Sequence, residues 1–285
     1  MSESAPGTTK QRLPQSRVQY FYAMSPMLRT PTSTTWQKLS RHATSDQDLK
    51  KRGHFSSVFS ANQYAWAYQK VAHYCKPEAS VLDWGCGNGH FSLFLCDQGF
   101  NAVHGYAFRP PSLLALLSQQ RAFSFHLGDR TQPTSLPFPD ASFAVVFSIG
   151  VLEHVREFGG AEQDSLREIR RVLQPEGLFI CAHFPNRRSL VEALARAVKK
   201  YHHRYTFSAA DIQSLVQSSG FELLELERYG VLPRNTFSGR LSAIGSNPPA
   251  VALLETFDTL LSIPLNRFCQ NYGFIARKLP SPAGP

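Results

Sequence analysis

The run Val81-Leu82-Asp83-Trp84-Gly85-Cys86-Gly87-Asn88-Gly89 joins an apolar stretch to three glycines at alternate positions. Glycines placed there let the backbone turn sharply and bring bare N–H groups against a ligand. The spacing is G-x-G-x-G followed by His90, not the G-x-G-x-x-G/A of a dinucleotide site, and an acid two residues before the first glycine also departs from that pattern. Two of the ten histidines stand where apolar runs end, His154 in LEHV and His183 in CAHFPN. An imidazole with its ordinary pKa near 6.5 suits a general base acting on an acidic phenol or enol. A third cluster, Lys199 to Tyr205, gathers Tyr201, His203, Arg204 and Tyr205 in one short segment. It reads as a lid gripping an anionic or aromatic group, or equally as a solvated helix end whose cations suit the helix dipole.

These residues need a frame, and the pattern supplies one. Strand-like runs cover Ser80–Trp84, Ala102–Phe108, Phe123–Leu127, Phe143–Ile149, Gly177–Phe184, Phe221–Tyr229 and Tyr272–Lys278. Helical patterns lie between them, at Gly89–Gln98, Pro111–Gln120, Gly160–Leu173, Ser189–Lys200, Ala209–Gly220 and Pro249–Phe268, and a further one runs from Ser60 to Cys75. Strands alternating with helices argue an α/β fold, a mostly parallel sheet covered on both faces. Ligands then bind beyond the carboxyl ends of the strands, where the glycines and both histidines fall.

The 285 residues carry a formal charge of +9, unevenly spread. Residues 1–54 hold nine basic and three acidic side chains, residues 55–185 nine and eleven, and residues 186–285 twelve and seven. The surplus is therefore peripheral to the region expected to do chemistry. Residues 1–53 lack hydrophobic periodicity and read as a flexible basic leader with one short ordered piece around Tyr20–Leu28; 54–278 form the domain and 279–285 a disordered tail. Five cysteines without CxxC spacing fit a reducing, cytoplasmic setting, the Ser/Thr/Arg-rich start only weakly suggesting organellar import. No apolar run reaches the ~20 residues of a membrane span.

Motif by motif, the chain resembles the class I S-adenosylmethionine-dependent methyltransferases, and most closely the small-molecule group whose first motif reads VLDxGCGxG. Further matches are Gly128-Asp129, LPFPDASF over 136–143, SIGVLEHV over 148–155 and LREIRRVLQPEGLF over 166–179. The resemblance implies a Rossmann-like, seven-stranded, mostly parallel sheet with a reversed last strand and helices on both faces. It also implies S-adenosyl-L-methionine as cofactor. Gly85, Cys86, Gly87 and Gly89 would form its loop and Asp83 the brace of that loop. Ala107 would lie at the ribose and Asp129 at the adenine, whose exocyclic amine is a donor suited to a carboxylate, with Phe108, Arg130 and Ile149 also among the cofactor-binding residues.

Two positions depart from the family. Ala107 stands where an Asp or Glu usually holds the ribose hydroxyls, and Ala144 where the SFD motif places an Asp. Losing a charge-assisted hydrogen bond to a ligand costs roughly 1.5–3 kcal/mol. The expected function is methyl transfer to a small-molecule acceptor, an oxygen of a hydrophobic, aromatic or glycosylated metabolite. The competing reading is an inactive cofactor-binding relative acting as regulator or scaffold. A nucleic-acid or protein acceptor ranks lower. No [DN]PP[YF] follows the fourth strand, and Asn247-Pro248-Pro249-Ala250 lies after the sixth and lacks the aromatic. No ligand set has the spacing of a zinc site, so no metal is expected.

Overall fold

Side chains along each central strand point alternately into two cores, which is why the strands read as continuous apolar runs. On the first strand Val81 enters one core and Leu82 the other; on the fourth, Val145 and Phe147 oppose Val146. Such burial on both faces belongs to parallel sheets covered by helices.

The computed structural model describes residues 53–280. In chain order the elements are α1 (Val58–Ala61), α2 (Ala65–Tyr74), β1 (Ser80–Trp84), α3 (His90–Asp97), β2 (Ala102–Ala107), α4 (Leu114–Leu117), β3 (Phe123–Leu127) and β4 (Phe143–Ile149). There follow α5 (Glu162–Val172), β5 (Leu173–Pro185), α6 (Leu190–Ala197), α7 (Ala209–Ser218), β6 (Phe221–Tyr229), α8 (Ser242–Ser246), α9 (Pro248–Ser262) and β7 (Asn271–Lys278). The seven strands lie in the order β3-β2-β1-β4-β5-β7-β6, with β7 antiparallel to both neighbours and the other pairings from β3 to β5 parallel. The order turns back at β1, so the β1 and β4 loops flank the crevice where an open α/β sheet binds ligands.

Two expected helices are shorter than their patterns. Over 111–120 a single turn, α4, forms, because only Leu113 and Leu117 of its leucines are fully buried, too little contact to offset ordering a longer helix. The pattern from Pro249 to Phe268 is helical only to Ser262, since Pro264 cannot continue it. At its start Asn247 accepts from Ala250 N at 3.2 Å with Pro248 in the first turn, so the Asn-Pro-Pro-Ala segment is a helix cap. Between β4 and α5 the chain makes a 3-10 stretch, Leu152–Phe158, that the sequence did not signal. The leader, its ordered piece at Tyr20–Leu28 and most of the tail lie outside the described residues. Among the described residues no helix is long and apolar enough to cross a membrane.

Candidate functional site

Beyond the carboxyl ends of β1, β4 and β5 the structure holds one cavity of about 2090 Å³. Its near wall is the loop after β1. Gly85 and Gly87 take φ of +75° and +56°, and the Gly85 and Cys86 N–H groups donate to Tyr106 O on β2 at 2.8 and 3.0 Å, fixing the turn. A Cβ on Gly85 would stand 2.5 and 2.6 Å from the Val151 methyl carbons. On Gly87 it would meet nothing closer than 3.8 Å, so that backbone presents a bare face. Asp83, buried below the loop, accepts from Ser92 Oγ at 2.6 Å and so ties β1 to α3. Burial pushes its carboxyl up to about 7 against the pull of the Ser92 hydrogen bond. Burial likewise raises the Cys86 thiol, which stays neutral and apolar.

The far wall is assembled from distant segments. His183 sits in a bulge of β5, between the Cys181 and Phe184 pairings with β7, at φ +63°. A non-glycine residue in that region is strained, a state typically retained at functional sites. Its backbone N–H donates to the Tyr229 hydroxyl at 2.7 Å, and its ring meets Tyr64 edge-on at 4.9 Å. Its Nε2 is shielded from solvent and has no hydrogen-bond partner. Burial, then His54, His203 and Arg234, depress its pKa to about 3, so the ring is neutral. Gly150, at the end of β4, keeps the space between His183 and Glu153 open: a Cβ there would lie 3.8 Å from His183 Cβ and 3.7 Å from Glu153 Oε1.

Glu153 itself is only 2% exposed, and burial pushes its carboxyl up to about 7 despite the opposing influence of His154. His154 Nδ1 lies 3.0 Å from Glu157 Oε1. His203 bonds Glu192 twice, Nδ1 to Oε1 at 2.9 Å and backbone N to Oε2 at 2.8 Å. Burial opposes a charge on His203, but the Glu192 contacts outweigh it and raise its pKa, while the same contacts lower that of Glu192 despite its burial. Farther round, Arg234 is clamped by Glu255 at 2.6 and 2.8 Å and Asp258 at 2.6 Å, and stacks over Phe59 at 4.5 Å. Asp258 also accepts from Val231 N and Leu232 N, each at 2.8 Å, so this knot moulds the chain leaving β6 into the wall.

Of the residues singled out in the sequence, Asp83, Gly85, Cys86, Gly87, Ile149, His154, His183, Tyr201 and His203 line the cavity. Gly89 lies beside it, capping α3 at φ +89°. Ala107, Phe108, Asp129 and Arg130 gather at the carboxyl ends of β2 and β3, outside the lining. There Phe108 meets Phe158 at 5.7 Å, and Asp129 accepts from Thr131 N and Oγ1, both at 2.8 Å. Arg204 and Tyr205 also fall outside, with Arg204 and Arg156 packed over the Tyr205 ring at 5.6 and 4.9 Å. Tyr64, Glu192, Tyr229 and Arg234 went unnoticed in the sequence. Tyr64 lies within the helical pattern from Ser60 to Cys75, and that signal marks burial, not chemistry.

Residues 82–181 match the family model for a methyltransferase domain. The span contains the glycine loop, β4 and the start of the far wall. Those residues carry a methyltransferase domain, and the match supports the class I S-adenosylmethionine-dependent type. A probable S-adenosylmethionine-dependent methyltransferase of Mycolicibacterium smegmatis is 28% identical over 156 residues, 55% of this chain and 56% of that protein. The eEF1A lysine and N-terminal methyltransferase of Mus musculus is 31% identical over 121 residues, 39% of this chain but 17% of its own length. The chain thus spans little more than half of the first relative and a small part of the second.

Among solved structures, the methyltransferase in complex with the Haloferax volcanii activator Trm112 superposes with a TM-score of 0.57 at 18% identity, covering 88% of this chain and all of that one. The Burkholderia thailandensis 1,6-didemethyltoxoflavin-N1-methyltransferase gives 0.52 at 18%, covering 89% and 92%. These likenesses show the methyltransferase fold, with its reversed strand β7 set between β5 and β6.

S-adenosyl-L-methionine is the family's cofactor, and the loop of this methyltransferase domain fits it. Gly87 offers an unobstructed backbone face, Cys86 and Ile149 an apolar wall, and Gly150 an opening towards Glu153 and His183. Ala107, expected from the sequence at the ribose, has no carboxylate to offer.

Proposed function

We propose that this methyltransferase domain, working in the cytoplasm, transfers a methyl group to a small-molecule acceptor, at an oxygen of a hydrophobic, aromatic or glycosylated compound. The observation that carries this reading is the continuity of one cavity from Gly85–Gly87 to Tyr64, His183 and Tyr229. Single-ligand pockets run to roughly 1,000 Å³, so about 2090 Å³ accommodates the methyl-bearing end of the cofactor together with an acceptor. All five cysteines are free, which favours a reducing compartment.

When bound, the cofactor supplies an electrophilic methyl on a sulfonium. The chain's own contribution is to orient the acceptor and take its proton. His183 Nε2, neutral and unpartnered, accepts the acceptor hydroxyl's hydrogen bond. A base with so low a pKa does not ionise a free phenol. It does accept the proton of an oxygen that is acquiring a third bond, because such an oxonium is a strong acid. His154, its Nδ1 engaged by Glu157, is the alternative base.

The test is a single-turnover measurement with bound cofactor. H183Q lowers the rate about 10²–10⁴-fold and leaves S-adenosylhomocysteine affinity unchanged; a full rate in H183Q with a collapsed rate in H154A assigns the base to His154. Calorimetry with S-adenosylmethionine addresses the non-catalytic reading, which Ala107 favours. Absence of binding at millimolar ligand, restored by A107D, would establish an inactive relative. A protein acceptor is the reading that the mouse relative's name suggests. Label appearing in protein but not in extractable metabolites, when cofactor and cell extract are supplied, would replace the small-molecule assignment.

A further inference from the structure

Beyond methyl transfer, three side chains of the far wall converge without a shared partner. One donor atom each from Glu153, His154 and His203 lies within 4.8 Å of the others, at the cavity lining. His154 Nε2 is 3.9 Å from Glu153 Oε1, and the two imidazoles stand 5.5 Å apart between centroids. Each imidazole is anchored from behind by a carboxylate on Nδ1, His154 by Glu157 at 3.0 Å and His203 by Glu192 at 2.9 Å. That leaves both Nε2 atoms for the shared space. Carboxylate–histidine pairs of this kind fix the tautomer and ring orientation of metal ligands. Independently, Glu153 Oε2 is buried and has no hydrogen-bond partner, a costly state for a carboxylate 2% exposed.

We infer that Glu153, His154 and His203 form a binding site for a divalent transition-metal ion in the acceptor wall. Two imidazoles and one carboxylate suit Zn²⁺, Fe²⁺ or Co²⁺ and discriminate against Mg²⁺ and Ca²⁺, which prefer all-oxygen shells. Ligand bonds of about 2.0–2.1 Å in a tetrahedral site set donor atoms roughly 3.4 Å apart. Binding therefore draws these side chains together by about 1 Å. Three protein ligands leave at least one coordination position open towards the cavity. The sequence hid the set because His203 lies fifty residues beyond Glu153 and comes from the segment that reads as a lid.

The experiment uses the full chain, stripped with chelator and titrated with Co²⁺ while its visible absorption is followed, with Zn²⁺ and Mg²⁺ as competitors. One Co²⁺ binds per chain, Zn²⁺ displaces it and Mg²⁺ does not. H154A and H203A each weaken binding at least 100-fold, while E192Q, which unsettles only the anchor, weakens it about 10–100-fold. Should the alanine variants not fold by circular dichroism, E192Q decides alone. Unchanged affinity in E192Q, no saturable Co²⁺ binding to the wild type at millimolar metal, or unaltered binding in H154A and H203A would each overturn the site. None of these readouts depends on methyl transfer, so failure of the site leaves the proposed activity standing and the reverse holds as well.

Discussion

The two walls of the cavity are built on different principles. The near wall, Asp83 to Gly89, is a local object: one strand end, three left-handed glycines, and a carboxylate tied to the next helix by Ser92. The far wall is a tertiary object. His183 owes its place to a β5 bulge, Tyr64 arrives between α1 and α2, and Arg234 is held by two acids of α9. Backbone sterics hold the first wall, and paired buried charges hold the second. The first should tolerate almost no side chain added to its glycines, and the second should tolerate almost no unpaired charge.

The largest expected effect breaks the far wall. Arg234→Met leaves Glu255 and Asp258 buried without their cation and lowers stability by about 3–5 kcal/mol in chemical denaturation, while the folded fraction keeps its S-adenosylhomocysteine affinity. Gly85→Ala attacks the near wall. Left-handed strain of about 1–3 kcal/mol adds to crowding against Val151, and calorimetry should show S-adenosylhomocysteine affinity reduced about 100-fold or more. Equal loss of ligand binding in both variants would erase the distinction between the walls. Ala107→Asp sharpens it from the ribose side, tightening S-adenosylmethionine by about 10–150-fold through a restored charge-assisted hydrogen bond of roughly 1.5–3 kcal/mol.

The smallest effect is a pH dependence. His183 faces Tyr64, Tyr229, His54, His203, Arg234 and Asn271 and keeps a pKa near 3. The unfolded chain, with an imidazole near 6.5, binds the extra proton below that pH. The contribution of His183 to stability therefore declines as pH falls from 6.5 towards 3, by roughly 1 kcal/mol between 6.5 and 5.5, while the raised carboxyls of Asp83 and Glu153 act in the opposite direction. Urea midpoints of the wild type and H183Q at the two pH values check it: the stability of the wild type relative to H183Q should fall by that amount from pH 6.5 to 5.5.

Six of the seven strands were legible to within a residue at each end, because both-face burial writes unbroken apolar runs. The fifth was not: it begins at Leu173, four residues before Gly177, where a register shift absorbs the Gln-Pro-Glu turn. Helix length was misread where apolar periodicity continued past what packing or proline permits, as in α4 and α9. At the site, the sequence marked His154 because it follows the fourth strand-like run and His183 because it stands at the end of the fifth. It could not show that Val151 seals Gly85, or that Glu192 reaches His203.

Sequence alone determined the sheet, the glycine loop and the family, since alternation, turn chemistry and motif order act over a few residues and survive in one dimension. Tertiary structure decided which polar groups face one another: the pairing of Arg234 with α9, the left-handed seat of His183, and the meeting of Glu153, His154 and His203. Those contacts join segments tens of residues apart. Their energies depend on burial and distance, and neither quantity exists until the chain has folded.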